Sequence, residues 1–295
     1  MGFLNASCQM LLHARKRLGV DYTRTLTLGR QELLMKPADL RELAIAQGIG
    51  TTDQLDRLKD SQGYAEPLFE LLGARSIDSI DASGYEHATI VHDLNIPVAT
   101  SLHDRFTCIV DGGTIEHVFH FPNAIKSCMD MLELGGHYIG ITPANNHMGH
   151  GFYQFSPELY YRVFGAANGF EVRTMLVRAA KDWYEVTDPE TLHERTELVN
   201  SLPVSLIVVA RKCEVVEVFH IPQQSDYAAV WRSIDPARNN QRRENEGTVH
   251  HLARKVLPRG MKSWLKGVNA LTKSRVEIEG LGTVGHKHFK RVELK

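Results

Sequence analysis

Between Phe106 and Pro157 the chain reads FTCIVDGGTIEHVFHFPNAIKSCMDMLELGGHYIGITPANNHMGHGFYQFSP, and this stretch constrains the fold more than any other. Phe106 to Val110 is a short apolar run with β-branched residues, ended by Asp111-Gly112-Gly113, the pattern of a buried strand emptying into a tight turn. Ala124, Ile125, Cys128, Met129 and Leu132 then recur at helical spacing, and Gly135-Gly136 is where that helix is expected to stop. A second buried strand is predicted over His137 to Thr142, ended by Pro143. Strand, helix and strand within about 37 residues make a βαβ unit with parallel strands. Open α/β sheets bind ligands outside the C-terminal ends of such strands. The loops Asp111 to His117 and Pro143 to Tyr153 are therefore expected to hold the site.

The rest of the chain extends the same pattern. Residues 6 to 18 carry a helical apolar face, and Thr25 to Leu28 reads as the first strand, running into Gly29-Arg30-Gln31-Glu32. Two polar helical segments, Pro37 to Gln47 and Thr52 to Lys59, have the look of an insertion over residues 36–62. A helix over Tyr64 to Leu72 and strands over Ser76 to Ile80 and Ala88 to Val91 follow, delivering Asp81 and then Asp93. Three predicted strands thus end in an aspartate: Asp81, Asp93 and Asp111. One such aspartate is most often a turn or capping residue; recurrence at one edge gives the set functional weight. Ser156 caps a helix beginning at Pro157 and Glu158. The apolar runs Phe170 to Val177 and Pro203 to Ala210 read as an antiparallel pair at the sheet's edge. Tyr227 and Trp231, in Ile221 to Ser233, are spaced to dock back on the body. The expected organisation is an N-terminal helix over 1–19, one α/β domain over 20–212, and a basic extension over 213–295.

Composition narrows the class further. Hydrophobic content of 43% with 23% charged residues is ordinary for a globular protein, and no apolar run is long enough to span a bilayer. The first residues lack the basic-then-apolar order of a secretory signal, and Ala6 breaks the myristoylation pattern. Cys8, Cys108, Cys128 and Cys213 stand far apart, which suits buried thiols in a reducing compartment, the cytoplasm. The net charge of −1 hides an asymmetry: residues 236–295 hold 14 Lys and Arg against 5 Asp and Glu, leaving 20 against 30 in residues 1–235. A nucleic-acid enzyme would more usually carry its positive field around the cleft, so nucleic acid is not the expected partner. Within the tail, His250 to Leu257 and Met261 to Thr272 read as two short basic helices, and the last glycines as a loose hairpin. The amphipathic stretch 250–273 suits either an apolar face packed on protein, a second copy of the chain included, or peripheral contact with an anionic membrane.

With these features in view the chain resembles the class I S-adenosylmethionine-dependent methyltransferases, and within them the broad bacterial group acting on small molecules and saccharides. The resemblance lies in FTCIVDGGTIEHVFHFPNAI, with its strand, acid-containing loop and "EHV"; in LELGGHYIGITP; and in GHGFYQFSPELYYRVFGAANGFEV, over roughly residues 20 to 212. It implies a Rossmann-like, doubly wound, mostly parallel seven-stranded sheet with a reversed edge strand; the helical C-terminal extension expected after it is read from the tail residues themselves. It also implies S-adenosylmethionine across the strand ends: Gly29 at its methionine moiety with Asp111 and Gly112, Asp81 at the ribose hydroxyls, Asp93 toward the adenine. An ionised carboxylate suits the ribose because it accepts two hydroxyl hydrogen bonds at once. The family's first loop is usually acid-x-glycine-x-glycine, where this chain has Thr27-Leu28-Gly29-Arg30-Gln31.

Methyl transfer to a hydroxyl needs alignment and a base. His117 and His150, in the two loops singled out above, are the candidates, each set against a purely loop-ordering role. Asn145, Asn146, Tyr153 and Gln154 offer hydrogen-bonding groups to a small polar acceptor, a sugar or glycan precursor by resemblance, while Phe152 and Phe155 are expected to anchor their loop. A metal centre is not expected, because His147 and His150 stand in a glycine-flanked loop with no carboxylate or cysteine pattern beside them. A dinucleotide oxidoreductase is set aside for want of G-x-G-x-x-G. The alternative from another class is a methyltransferase-fold binding or scaffold protein that has lost its cofactor, favoured by the Gly29-Arg30-Gln31 loop.

Overall fold

The structure is a computed structural model that describes residues 2–58, 63–234, 275–278, 281–285 and 287–294. It opens with β1 (Gly2–Phe3), helix α1 (Asn5–Arg17), β2 (Arg24–Leu28) and β3 (Glu32–Leu33), the last pairing in parallel with β1. Basic residues Arg15, Lys16 and Arg17 fill the last turn of α1, where the helix dipole favours them. The insertion forms α2 (Pro37–Gln47) and α3 (Thr52–Arg57). Thr51 starts α3 with a capping box, its hydroxyl accepting from the Gln54 amide while the Gln54 side chain reaches back to the Thr51 amide. Then come α4 (Glu66–Leu71), β4 (Ser76–Asp81), β5 (Ile90–Val91), β6 (Phe106–Asp111), α5 (Phe121–Met131) and β7 (Leu132–Pro143). The chain continues through α6 (Pro157–Val163), β8 (Phe170–Ala179), β9 (Asp182–Val186), α7 (Pro189–Leu192), β10 (Leu198–Val199), β11 (Val204–Lys212) and α8 (Ser225–Ile234). It ends in β12 (Arg275–Ile278), β13 (Gly282–Gly285) and β14 (Phe289–Val292).

Among the described residues, nine strands make one sheet in the order β14-β9-β8-β11-β7-β6-β2-β4-β5. From β5 to β7 neighbours are parallel, and β11 runs antiparallel to both β7 and β8. Counting β2, β4, β5, β6, β7, β8 and β11 as one to seven, this is the order 3-2-1-4-5-7-6, a Rossmann-like α/β sheet with its last strand reversed. The expected antiparallel pair is there as β8 and β11, but the edge lies further out, because β9 and β14 add two more strands. Alternation along the strands serves two cores. On β11, Leu206, Val208 and Ala210 pack toward α5 and α6, whereas Ile207 and Val209 pack toward α1, α2 and α4. The insertion joins the second core through Leu40, Ala44, Leu55 and Leu58.

Gly135-Gly136 does not stop α5 as the sequence suggests. The helix ends at Met131 and β7 starts at once, with the glycines inside a bulge between the pairs Phe106–Leu132 and Cys108–His137. Gly135 has φ +88°, open to glycine without strain. The helix end is held instead by buried Lys212, whose Nζ donates to the Met129 carbonyl (3.0 Å), the Leu132 carbonyl (2.6 Å) and Asp104 Oδ1 (3.1 Å). Lys212→Met is expected to orphan those carbonyls and lower stability by about 2 kcal/mol, read by urea unfolding.

The basic helices expected over 250–257 and 261–272 lie outside the described residues. The hairpin expected at the last glycines is present as β12 and β13, which β10 joins, so the described end of the extension is strand and not helix. Helix α8 docks on the body through Arg195–Asp226 and through the Ser225 amide, which donates to Glu158 Oε1 at 2.7 Å. Tyr227 stays half exposed, stacked under the Arg195 guanidinium at 5.6 Å. No helix of the described residues is long and apolar enough to cross a membrane. Cys8, Cys108 and Cys128 are buried free thiols, and Cys213 is an exposed one.

Candidate active site at the strand ends

Parallel pairing brings the acids to one edge. Leu28 pairs with Ile80 on one side and with Asp111 on the other, and Asp81 pairs with Val91, so the ends of β2, β4, β5 and β6 line up. Gly29 leaves β2 at φ +67°, and a Cβ there would stand 3.3 Å from Thr114 Oγ1 and 3.7 Å from Asp81 Oδ2. Asp81 is half-buried, and its Oδ1 accepts from the Ser83 amide at 2.9 Å. Asp93 is exposed, with its carboxyl held below the ordinary range by the Asn95 backbone amide and then the Asn95 side chain.

Asp111 takes a different place from the one the resemblance implies. It is 0% exposed; Oδ1 accepts from the amides of Gly113 (3.2 Å), Thr114 (2.8 Å) and Ile115 (3.4 Å), and Oδ2 from the Tyr138 hydroxyl (3.0 Å). It builds the turn after β6 from inside. Gly112 is also walled off: a Cβ there would meet Gln31 Oε1 at 2.6 Å and the Phe3 ring at 2.8 Å. Gln31 folds inward, 2% exposed, donating from Nε2 to the Leu28 carbonyl at 2.6 Å, while its Oε1 is buried without a partner. Arg30 is held on the α4 side, bonded to Glu66 Oε1 at 2.7 Å and stacked 3.7 Å over Tyr64. A cavity of about 270 Å³ opens beside it, lined by Gln31, Glu66, Ser79, His87 and Thr89.

The expected substrate-binding groups mostly hold the loop together. Asn145 Nδ2 donates to the Leu198 carbonyl, and Asn146, at φ +63°, donates to the carbonyls of Asn200 and Leu202 and to Asn200 Oδ1. The Tyr153 hydroxyl donates to the Phe119 carbonyl at 2.7 Å, and Gln154 Oε1 accepts from the His147 amide. Phe155 is buried as expected. Phe152 is not: it is 67% exposed, in edge contact with equally exposed Phe119 at 6.0 Å.

His117 and His150 do come together, with ring centroids 5.0 Å apart. Between them the fold inserts a residue the sequence did not single out. Glu116 is 0% exposed, and its Oε1 lies 3.2 Å from His150 Nε2 although the two are 34 residues apart. Its backbone carbonyl receives the amides of Phe152 (2.8 Å) and Tyr153 (3.3 Å), and Gly151, at φ +70°, passes so close that a Cβ would meet Glu116 Cγ at 2.9 Å. Burial, with the Asp111 charge behind it, pushes the Glu116 carboxyl up to about 8. Burial and then neighbouring His150 hold His117 below the usual histidine range, so it is a neutral imidazole at pH 7. The only sequence signal for Glu116 is an acid next to His117 in a strand-end loop.

The strand order and the site at the strand ends define a Rossmann-like α/β protein. The chain matches no protein-family model and no curated protein. It is similar at low level to solved structures. One is the branched-chain polyamine synthase of Thermus thermophilus (10% identity, TM-score 0.36, 76% of this chain and 62% of that one). Another is the 1,6-didemethyltoxoflavin-N1-methyltransferase of Burkholderia thailandensis (10%, 0.35, 71% and 80%). A third is the YcgJ protein of Bacillus subtilis (8%, 0.38, 71% and 100%). The chain thus spans under two thirds of the synthase.

Proposed function

We propose that the protein is an S-adenosylmethionine-dependent methyltransferase acting on a small polar acceptor, a sugar or glycan precursor. The observation that carries this reading is the pairing of Leu28 with Ile80, which sets the Asp81 carboxylate against left-handed Gly29 at the C-terminal ends of two central strands. Asp81 and Gly29 suit a ribose and the backbone approach of a nucleoside, and Asp93 stands at the next strand end for the adenine. Bound cofactor supplies the electrophilic sulfonium methyl. The chain's own task is to orient the acceptor and take its proton. In this reading neutral His117, or His150 tethered to Glu116, takes the proton, which their contact in one loop cluster supports, and the exposed Phe119–Phe152 pair is an apolar platform for one face of the acceptor.

One observation favours the second reading, a cofactor-free binding protein. The methionine end of the site, between Gly29 and Gly112, is filled by Gln31 and Phe3. Gln31 must swing out for that end to be occupied, and its orphaned Oε1 makes the inward position costly to keep. Calorimetric titration with S-adenosylmethionine and S-adenosylhomocysteine separates the readings. Binding in the range of about 10–100 μM is expected, weakened at least about tenfold in Asp81→Ala and tightened about tenfold in Gln31→Gly, each tenfold being about 1.4 kcal/mol. No binding at millimolar cofactor by either wild type or Gln31→Gly would end the methyltransferase reading.

A further inference from the structure

We infer that Glu116, His117 and His150 form a binding site for a first-row transition-metal dication of the zinc type. One ligand atom from each residue lies within 4.8 Å of the other two, so small side-chain rotations bring all three onto one ion. Metal–ligand bonds of about 2.0–2.2 Å require ligand atoms roughly 3–3.5 Å apart, and the Glu116–His150 contact at 3.2 Å already meets that spacing. Two imidazoles and one carboxylate are the donor set of borderline dications, whereas magnesium and calcium prefer all-oxygen shells.

Two further observations point to a ligand. Glu116 is fully buried, yet Oε2 has no hydrogen-bond partner, and a buried carboxylate oxygen left alone is costly. His147, whose ring lies 6.1 Å from that of His150, also keeps a buried Nε2 without a partner. The Glu116 backbone is held by the Phe152 and Tyr153 amides on its carbonyl, Gly151 packs closely on it, and His117 and His150 are exposed. One buried ligand and two exposed ones leave coordination positions open to solvent, as in metal sites that bind a substrate oxygen. An ion there would lower the pKa of an acceptor hydroxyl or a water held on it, and the two histidines would then be ligands in place of proton acceptors. Ion binding itself needs no S-adenosylmethionine and is therefore measured independently of methyl transfer.

The test uses untagged full-length protein, stripped with a chelator and titrated with zinc by calorimetry and with cobalt(II) by visible absorption. One zinc per chain at micromolar affinity or tighter is expected, with cobalt bands in the visible and a zinc-dependent rise in thermal midpoint. Glu116→Gln and the double variant His117→Ala/His150→Ala should each bind zinc at least about 100-fold more weakly, while His103→Ala binds as wild type. Circular dichroism of the zinc-free variants reports their folding, and Glu116→Gln keeps the shape of the buried side chain. No zinc binding by wild type at millimolar concentration, or equal binding by wild type and folded variants, would overturn the site whatever the outcome with S-adenosylmethionine.

Discussion

Replacing Asp111 with alanine is expected to lower the free energy of unfolding by about 3–5 kcal/mol, a large share of the roughly 5–15 kcal/mol that holds an ordinary domain folded. The carboxylate is the acceptor for three consecutive backbone amides and for the Tyr138 hydroxyl. Alanine leaves these donors without their acceptor at a site where Asp111 and Tyr138 are both 0% exposed. Asp111→Asn should recover most of the loss, because one amide oxygen still accepts from the turn while the amide nitrogen donates to the Tyr138 oxygen. Urea unfolding of the two variants measures the effect. If Asp111 acted instead at the methionine end of a cofactor, alanine would keep wild-type stability and lose only cofactor affinity.

The second large effect concerns acid. His137 in β7 is 5% exposed, its Nδ1 has no partner, and burial, then Arg211 and Arg173, lower its pKa from 6.5 to about 4. The folded value lies below the unfolded one, so between the two the unfolded chain holds more protons and stability rises with pH. What the neutral ring contributes is complete above pH 6.5 and disappears as pH falls through about 4. A shift of this size corresponds to about 3 kcal/mol. Wild type is therefore expected to lose about 2–3 kcal/mol more than His137→Leu between pH 7 and pH 4, by denaturant unfolding at each pH. Parallel loss in the two proteins would assign the acid sensitivity to other groups.

Much of the sheet is legible in the sequence because its central strands are buried on both faces and read as apolar runs. The βαβ unit, its two loops and the acids at the strand ends follow from that. The outer strands are harder to read. Strand β9 follows β8 through Ala180-Lys181, with Ala180 at φ +52°, where the usual hairpin signal is Asn-Gly or Asp-Gly. Its sequence, DWYEV, hides its burial among charges. At the site, His117 and His150 are legible as loop histidines near one edge. Glu116 is the residue before His117, and it is the meeting of that pair with His150 that is a tertiary event, because 34 residues separate His150 from Glu116. Gln31 is likewise unreadable as a filler. Only the pairing of β1 with β3 brings Phe3 beside it.

The outermost strand on the β9 side of the sheet is made late. β14 pairs with β9, and the Thr187 hydroxyl binds the Lys287 carbonyl across 100 residues of chain. While the chain is being synthesised, β9 is the outermost strand, with one row of amides and carbonyls uncovered and Trp183, Tyr184 and Val186 along it. Such an edge invites pairing with another nascent chain. At about 5–20 residues per second, the ribosome leaves it open for roughly 5–20 seconds. Covering of β9 thus waits on the end of synthesis, and a chaperone that shields strand edges is expected to raise the protein's yield.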